Sequence, residues 1–322
     1  MAVQELAAWR KQAAAAGADL RDTVAQLAEH AKAGSADASY LLAVFTAAGY
    51  GVGQDLKGAL GHLQRAAEGG HRPAQTELAA LVGNWRLARD VSAGKASRPE
   101  TWGQLRAAVD VAGWLRIPDG RVFSEEPRIA TVKGYLSAPA CEWLIALGRT
   151  NLKAAQVYDA ETGDLRSDSN RNNSAAQLDV ERIDTLTAFV RARIAALANV
   201  SVAGLETSQI LHYRVGEQFA EHCDFLDPGT PGHARDIAVH GQRALTVLIY
   251  LNDDYEGGDT AFPELGRSFK GRKGDALVFW NLTPEGAPDW RTRHIGTAPS
   301  RGEKWLFSQW IRIPLAAASG GG

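Results

Sequence analysis

The chain has 322 residues, enough for one large domain and a smaller partner, because domains usually run to about 100–200 residues. Apolar residues make up 45% of it and charged residues 22%, as in a soluble globular protein, and the net charge of −2 leaves no basic surface for nucleic acid. Its two cysteines, Cys141 and Cys223, exclude a disulfide framework and a four-cysteine zinc site, so any metal must rest on histidine and carboxylate ligands.

The first twenty residues form an alanine-rich helical pattern that contains Glu5 and Arg10. They lack the apolar core of a signal peptide, and no later segment approaches the length of a membrane span. The sequence therefore predicts a cytoplasmic protein without a membrane partner.

Residues 1–90 are predicted to be helical, because they are rich in alanine and leucine and space their apolar residues three and four apart. Segments 25–43 and 59–79 match at a constant offset of 36 residues, which takes Leu27 to Leu63 (63 − 27 = 36) and Gly34 to Gly70. Small residues at fixed positions of paired helices are typical of stacked helical hairpins, so a helical repeat region is expected.

This region resembles the Sel1-like branch of the helical-hairpin repeats over about residues 20–85. The residues that carry the resemblance are Gly51, Asp55, Lys57, Ala66, Ala67 and Gly70. It implies a region that binds or braces rather than catalyses; the alternative is an alanine-rich helical bundle without repeats. Because about two repeats cannot bury their faces alone, the helical region is expected to lean on the domain that follows it or on another copy of the chain, with a protein partner as a further alternative.

Residues 91–126 are polar and turn-like and are predicted to connect the helices to a second domain, residues 127–315. From Pro127 onward, β-branched and aromatic runs alternate with polar residues, with helices first and short strands afterwards. This order predicts an α+β chain whose second domain is a jelly-roll barrel backed by helices. Residues 316–322 are predicted to be a flexible tail.

His222 and Asp224 stand two residues apart on a predicted strand, so their side chains project from the same face. His294 follows on a later predicted strand. Two histidines and one carboxylate make the facial triad that holds Fe(II) and leaves positions open for a cosubstrate and oxygen. We therefore predict that these three residues bind iron and form the catalytic centre.

Lys304 lies ten residues after His294 (304 − 294 = 10), on a strand from which its ammonium can reach into the barrel. A buried lysine is costly unless a carboxylate neutralises it, and the distal carboxylate of 2-oxoglutarate is a natural partner. Arg293 is the competing cation, but strand parity turns it away from His294. The alternative for Lys304 is a surface position on an alternating strand.

From about Pro127 to Pro314 the chain resembles the prolyl 4-hydroxylase branch of the Fe(II)/2-oxoglutarate dioxygenases. The segments that match are HYRVGEQFAEHCDF, TVLIYLNDDYEGGDTAFPELG, KGDALVFWN and HIGTAPSRGEKWLFSQWIR. The resemblance implies a double-stranded β-helix oxygenase domain that binds Fe(II), with 2-oxoglutarate and O2 as cosubstrates and ascorbate as a candidate reductant. His222, Asp224 and His294 would then be the iron ligands, with Lys304 on the cosubstrate carboxylate.

The resemblance also assigns Tyr213 as a hydrogen-bonding neighbour of the cosubstrate. The glycine-rich turn of the family matches at Gly257, Gly258, Thr260 and Phe262, which would shape the mouth of the site. The chain departs from the family at Phe219, where a tyrosine is common, and this leaves any polar contact of that hydroxyl in doubt.

Several other side chains compete for a place in the site. His212 is out of phase with Tyr213 on its strand, while His233 and His240 lie in a loop that could cover the substrate. Cys223 is expected to point away from the metal. Further candidates are Trp310, which has the parity of Lys304, and Arg171, whose segment resembles a family stretch beside the substrate groove but also fits a solvated loop arginine.

The function implied by the resemblance is hydroxylation of prolyl residues in a peptide or protein, coupled to decarboxylation of 2-oxoglutarate to succinate. Hydroxylation of a free amino acid or a small natural product would use the same iron-site residues. A third hypothesis is a scaffold or oxygen sensor, in which the helical repeats bind a partner. These hypotheses differ in whether 2-oxoglutarate turnover requires a peptide, a small molecule or neither.

Overall fold

A computed structural model describes residues 8–14, 20–95, 100–158, 165–166 and 170–314 of the chain. It contains two compact units that alternate along the sequence. The first unit comprises Met1–Ile117 and Leu178–Ala203, and the second comprises Pro118–Gln177 and Gly204–Gly322. The predicted tail, 316–322, lies outside the described residues. Within the described ranges, no helix has both the length and the apolar character needed to cross a bilayer.

The α-helices of the described chain are short, with two to four turns in most of them. Their bounds are α1 (Arg21–Lys32), α2 (Ala36–Ala48), α3 (Leu56–Glu68), α4 (Arg72–Leu81), α5 (Trp85–Ser92), α6 (Glu100–Ala108), α7 (Val111–Leu115), α8 (Ala138–Arg149), α9 (Thr185–Ala198) and α10 (Pro231–His240).

Helices α1 to α4 of the first unit form two hairpins with matching internal positions. Leu27 and Leu63, which are 36 residues apart (63 − 27 = 36), are both fully buried. Gly34 and Gly70 follow α1 and α3 with φ of 95° and 83°, a conformation that ends a helix and favours glycine. The predicted helical region is therefore confirmed, while its membership of the Sel1-like repeats stays a prediction.

Helix α9 joins the first unit through buried polar contacts as well as apolar ones. Glu77 on α4 accepts a hydrogen bond from the backbone N–H of Thr185 at 2.9 Å and one from the Tyr40 hydroxyl at 2.6 Å. Burial, followed by the nearby Asp184 carboxylate, raises the pKa of Glu77 to about 8. Helix α9 belongs to the first unit although it lies inside the range predicted for the second domain, and the predicted connecting segment 91–126 contains α6, α7 and a strand. The domain boundaries stay a prediction.

The second unit is built from antiparallel strands. The strands are β1 (Gly120–Glu125), β2 (Arg128–Val132), β3 (Lys153–Ala154), β4 (Val157–Tyr158), β5 (Leu165–Arg166), β6 (Ser174–Leu178), β7 (Ser208–Tyr213), β8 (Phe219–His222), β9 (Gln242–Tyr250), β10 (Glu256–Gly257), β11 (Thr260–Phe262), β12 (Arg267–Phe269), β13 (Ala276–Trp280), β14 (His294–Gly296), β15 (Pro299–Arg301) and β16 (Lys304–Ile313).

Twelve of these strands form a large sheet and a small sheet that share one core, while β10 pairs with β15 and β4 pairs with β5 in two separate two-stranded sheets. The large sheet has the order β1-β2-β13-β9-β16-β7-β6-β3, and the small sheet has the order β12-β11-β14-β8. Buried side chains from both sheets meet in a single cluster, which includes Leu248, Tyr250, Phe262 and Phe279. Two antiparallel sheets packed face to face give the jelly-roll architecture, so the predicted fold class is confirmed.

Phe262 on β11 ties the small sheet to the large one. Its side chain is fully buried, and its ring makes edge-on contacts with Phe269 at 5.7 Å and with Phe279 at 5.3 Å between ring centroids. Edge-to-face aromatic pairs contribute about 0.5–1.5 kcal/mol each beyond the area they bury. The side of the barrel that carries β14 is therefore fixed by apolar packing.

Helix α8 packs against β7, the strand that ends at Tyr213. We expect Gly148→Ala to lower the free energy of unfolding by about 1–3 kcal/mol, because the added Cβ overpacks this contact. That Cβ would lie 2.6 Å from Cγ2 of Ile210. Gly61→Ala is the matched control: it has no heavy atom within 4 Å of the added Cβ and should stabilise helix α3 by up to about 1 kcal/mol. Equal shifts of the two variants in urea denaturation would contradict this packing.

Candidate active site

Strands β8 and β14 bring two predicted ligands side by side. Strand β8 ends at His222, β14 begins at His294, and their antiparallel register pairs these two residues. Asp224 was expected on the same strand as His222, but it lies in a bend just past the strand end. The three side chains still converge, because the bend turns Asp224 back toward both imidazoles.

The triad is compact enough to surround a single ion. Nε2 of His222 lies 3.6 Å from Oδ1 of Asp224, and Nε2 of His294 lies 3.8 Å from Oδ2. One ligand atom from each residue falls within 4.8 Å of the other two, and among the described residues this is the one group of three or more His, Cys, Asp or Glu side chains with that geometry. Two imidazoles and one carboxylate match the donor set of non-haem Fe(II) sites.

Backbone carbonyls set the tautomer of both histidines. Nδ1 of His222 lies 2.7 Å from the carbonyl oxygen of Ala220, and Nδ1 of His294 lies 3.0 Å from that of Thr292. Because a carbonyl can only accept, Nδ1 must carry the hydrogen in each ring. The Nε2 lone pairs are then free for a metal, and the carbonyls fix the ring orientation.

The protonation states of the buried pair also suit a metal. Burial, followed by the neighbouring His222, lowers the pKa of His294 to about 4, so this imidazole is neutral at neutral pH. Burial opposes ionisation of Asp224, but the two histidines and a hydrogen bond from Thr246 outweigh it and hold the pKa of Asp224 below its usual range. A neutral imidazole beside a carboxylate can bind a cation without first losing a proton.

A cavity of about 400 Å³, including its open mouth, extends from the triad into the barrel. Lys304 and Tyr213 line it from neighbouring strands, since the register of β16 and β7 pairs them. Both are buried, and Nζ of Lys304 lies 5.1 Å from the centroid of the Tyr213 ring. The predicted cosubstrate residues therefore share one cavity with the predicted iron ligands.

Lys304 has an unusual environment for a lysine. Its side chain is fully buried, and Nζ has no hydrogen-bond partner among the described residues. Burial lowers the pKa of Lys304 to about 7, a shift that Asp259 opposes and Lys270 reinforces. An isolated buried ammonium is costly, so the arrangement favours an anionic ligand that supplies the missing partner.

Gly258 makes room for the Lys304 side chain. Its φ is 68°, and an added Cβ would lie 2.9 Å from the Tyr255 ring and 3.4 Å from Cδ of Lys304. A larger residue would therefore strain the backbone and press on the lysine stem. The glycine-rich turn thus acts on the cavity interior as well as on its mouth.

Arg171 lies in the cavity wall rather than in a solvated loop. It is 5% exposed and donates hydrogen bonds to the carbonyl of Gln156 and to Oε1 of Gln209. Its guanidinium carbon lies 4.5 Å from the centroid of the Phe219 ring, which in turn stacks on His222 at a centroid separation of 3.5 Å. The Phe219 ring therefore contacts both the Arg171 guanidinium and the His222 imidazole.

The other histidines that were candidates stay outside this cavity. His212 stacks on Trp305 at 4.1 Å between ring centroids, and its Nε2 lies 3.1 Å from Oε2 of Glu303. His233 accepts a hydrogen bond from the backbone of Asp227, and His240 pairs with Asp236. The strand parity argument against His212 is confirmed.

Trp310 lines the cavity, as its parity with Lys304 predicted. Arg243 lies over its ring, with the guanidinium carbon 3.8 Å from the centroid. Arg243 also shares the Glu206 carboxylate with Arg312, at 2.6 Å from Oε1 in each case. No local pattern predicts this cluster, because its members are far apart in the chain.

Thr246 and Asn281 are polar residues beside the triad that the sequence analysis did not single out. The Thr246 hydroxyl lies 2.7 Å from Oδ2 of Asp224, and Nδ2 of Asn281 lies 3.0 Å from the Thr246 oxygen. A signal for Thr246 was present: it is a polar residue within the apolar run RALTVLIYL, at the parity of Leu248 and Tyr250.

Comparisons with known proteins agree with this site. A family model described as the 2OG-Fe(II) oxygenase superfamily matches residues 208–312, a range that includes the triad and Lys304. Prolyl 4-hydroxylase 1 of Arabidopsis thaliana is 33% identical over 227 residues, which cover 63% of this chain and 78% of that protein. Prolyl 4-hydroxylase subunit alpha-1 of Rattus norvegicus is 33% identical over 187 residues, which cover 58% of this chain and 35% of that subunit.

Among solved structures, the viral collagen prolyl hydroxylase from Paramecium Bursaria Chlorella virus-1, in its 2OG complex, aligns with a TM-score of 0.44 at 22% identity. The alignment covers 57% of this chain and 96% of that one.

We expect the chain to bind one Fe(II) or Co(II) ion. Loss of a hydrogen-bond partner of a metal ligand weakens metal binding roughly 10–100-fold, and we expect His222→Ala and His294→Ala to weaken it by more than this. The reason is that each variant removes a ligand atom. Isothermal titration with Co(II) under anaerobic conditions measures this directly. His240→Ala, which alters an exposed histidine, is the control and should bind as the unmodified chain does. Retention of tight binding in both ligand variants would rule out the triad.

Proposed function

Since this chain belongs to the 2OG-Fe(II) oxygenase superfamily, we propose that it hydroxylates prolyl residues in a peptide or protein and converts 2-oxoglutarate to succinate and CO2. The observation that carries the proposal is the cavity in which a His-Asp-His triad and a buried, unpartnered lysine face one ligand space. The prolyl substrate rests on the names of the relatives, of which prolyl 4-hydroxylase 1 is 33% identical.

In this proposal His222, Asp224 and His294 would hold the Fe(II), which would supply the activation of O2 and the oxidation of a substrate C–H bond. The hydrogen bonds from Nδ1 to the carbonyls of Ala220 and Thr292 keep both imidazoles directed at the metal position.

Lys304 and Tyr213 are proposed to bind the cosubstrate. The Lys304 ammonium would pair with the distal carboxylate of 2-oxoglutarate, which ends the isolation of a buried charge. Tyr213 is also buried, and burial raises the pKa of its hydroxyl to about 12, so it stays a hydrogen-bond donor at neutral pH. Both residues position the cosubstrate.

Apolar side chains keep water away from the reacting groups. Leu211, Leu248 and Leu306 line the same cavity as the lysine and the triad, and Phe219 covers one face of His222. A dry cavity strengthens the ion pair of Lys304 and limits unproductive reactions of the oxidant.

We expect the Fe(II)-loaded chain to form succinate from 2-oxoglutarate faster when a proline-containing peptide is present, and to add one oxygen atom to that peptide. His222→Ala should abolish both products, while His240→Ala should leave them intact. Mass spectrometry of the peptide and a succinate assay give the two readouts. Stimulation by free proline or by another small molecule, with none by any peptide, would exclude a polypeptide substrate and retain the oxygenase assignment.

The role of Lys304 predicts a pH dependence of cosubstrate binding. Burial lowers the pKa of Lys304 to about 7, so above this pH the free protein holds a neutral amine and must take up a proton to pair with a carboxylate. The KM for 2-oxoglutarate should therefore be nearly constant below pH 7 and should rise above it by up to about tenfold per pH unit.

Two variants test this assignment. Lys304→Arg should flatten the rise of KM with pH, because a guanidinium stays protonated. Lys304→Ala should raise KM for 2-oxoglutarate roughly 10- to 100-fold, as expected for a lost hydrogen bond to a charged group of about 1.5–3 kcal/mol, with a smaller change in kcat. An unchanged KM in Lys304→Ala would remove this residue from the cosubstrate site.

A further inference from the structure

The Asp224 carboxylate is held by a hydrogen-bond chain whose other members, Thr246 and Asn281, have no role in the proposed chemistry. Oδ2 of Asp224 lies 2.7 Å from the Thr246 hydroxyl, and the Thr246 oxygen lies 3.0 Å from Nδ2 of Asn281. All three side chains are buried, with Thr246 and Asn281 fully inaccessible to solvent. No water is needed to complete the chain from Asn281 to Asp224.

The direction of this chain follows from its chemistry. The ionised Asp224 carboxylate can only accept, so the Thr246 hydroxyl must donate its single hydrogen to Oδ2. The Thr246 oxygen can then only accept from a third group, and Asn281 must present its amide N–H to it. Each member therefore fixes the orientation of the next, and the Asn281 side chain decides where the Thr246 hydrogen points.

The two supporting residues are attached to rigid backbone. Thr246 lies on β9, a central strand, where its register pairs it with Phe279 on one side and Trp310 on the other. Asn281 follows β13 directly, and its backbone N–H donates to the carbonyl of Ala244 at 2.9 Å while its carbonyl accepts from Asp289 at 2.9 Å. A β-branched side chain on such a strand has few rotamers available.

Asp224 itself lacks this rigidity, because it lies in the bend after β8. A free aspartate can rotate about its terminal bond and offer a metal either one oxygen or both. Binding through both oxygens would occupy a coordination position that the cosubstrate or oxygen requires. The two oxygens lie at similar distances from the imidazoles, Oδ1 at 3.6 Å from Nε2 of His222 and Oδ2 at 3.8 Å from Nε2 of His294. The hydrogen bond from Thr246 occupies Oδ2 and opposes the rotation, which favours Oδ1 as the oxygen that would bind the metal.

We propose that Thr246, oriented by Asn281, is a positioning residue that makes Asp224 a one-oxygen metal ligand and so keeps a coordination position open for the cosubstrate. This inference rests on the proposed metal site. It assigns a role in metal and cosubstrate binding to two residues that touch neither, and it predicts that the loss of one hydroxyl group in the large sheet changes the coordination of a metal bound between strands of the small sheet.

The test compares Thr246→Val, which keeps the shape of the side chain and removes the donor, with Thr246→Ser, which restores the donor. Thr187→Val is the matched control: Thr187 is fully buried in α9, and its hydroxyl has no hydrogen-bond partner among the described residues. Thermal unfolding without metal, followed by circular dichroism, reports any general loss of stability. Co(II) affinity and the visible absorption spectrum of the Co(II) protein, with and without 2-oxoglutarate, are the readouts.

We expect Thr246→Val to bind Co(II) about 10- to 100-fold more weakly, with a weaker, higher-coordinate visible spectrum and a reduced response to 2-oxoglutarate. Thr246→Ser should recover the affinity and the spectrum, and Thr187→Val should match the unmodified chain. Asn281→Ala keeps the Thr246 hydroxyl but removes its donor, so it should change the spectrum in the same direction by a smaller amount. It also serves as the second variant if Thr246→Val does not fold.

The outcomes separate this inference from the proposed metal site. If His222→Ala loses Co(II) while Thr246→Val and Asn281→Ala keep the affinity and spectrum of the unmodified chain, the positioning role is wrong and the metal site stands. If Thr246→Ser is as impaired as Thr246→Val, the effect is one of packing and the role is also wrong. If the unmodified chain does not bind Co(II), or His222→Ala binds it equally well, the metal site and this inference fail together.

Discussion

The antiparallel pairing of β8 with β14 is the constraint on which the site depends. It sets His222 opposite His294, although 72 residues separate them in the chain (294 − 222 = 72), and the bend after β8 then turns Asp224 toward both. A slip of one residue in this register would send one imidazole to the other face of the sheet. The packing of Phe262 against the large sheet therefore matters for chemistry as well as for stability, because β11 holds β14 in place.

The buried charges of the cavity gain partners of opposite sign when its proposed ligands bind. Asp224 supplies one buried negative charge, and the Lys304 ammonium is buried without a hydrogen-bond partner among the described residues. A divalent cation at the triad would pair with Asp224 and a dicarboxylate would pair with the cation and the lysine, and because their own charges cancel (+2 − 2 = 0) the net charge of the cavity would not change. In the absence of a ligand, Lys304 can instead lose its proton, since a neutral amine costs less free energy in an apolar cavity. The lowered pKa of Lys304 reflects this preference. Metal, cosubstrate and proton binding should thus be linked to one another.

The sequence predicted the jelly-roll and the convergence of its site residues because both leave local patterns. His222 and Asp224 lie two residues apart, Lys304 alternates correctly with the apolar residues of β16, and parity excluded His212.

The features that the sequence could not predict are set by long-range geometry. The burial of Arg171 behind Phe219, and the joining of Arg243 and Arg312 by Glu206, depend on strands that meet only in the folded chain. The unit to which helix α9 belongs was hard to predict for a related reason. The helix is buried on nearly every face, and its partners lie in helices more than 100 residues earlier. The hydrogen bond from Thr185 to Glu77 is an example (185 − 77 = 108).

The two sheets divide the work of the site, and this division explains why the chemistry is easier to infer than the substrate. The small sheet carries the histidines, while β7, β9 and β16 of the large sheet carry Tyr213, Thr246 and Lys304. Strand hydrogen bonds and packing hold the backbone at these positions, so each side chain reaches one place in the site, and its residue type indicates its role. We expect substrate contacts at the loops around the cavity mouth, where the backbone tolerates change without disturbing the triad. A polypeptide and a small molecule could therefore be accommodated by different loops around the same ligands, and only the products of turnover distinguish them.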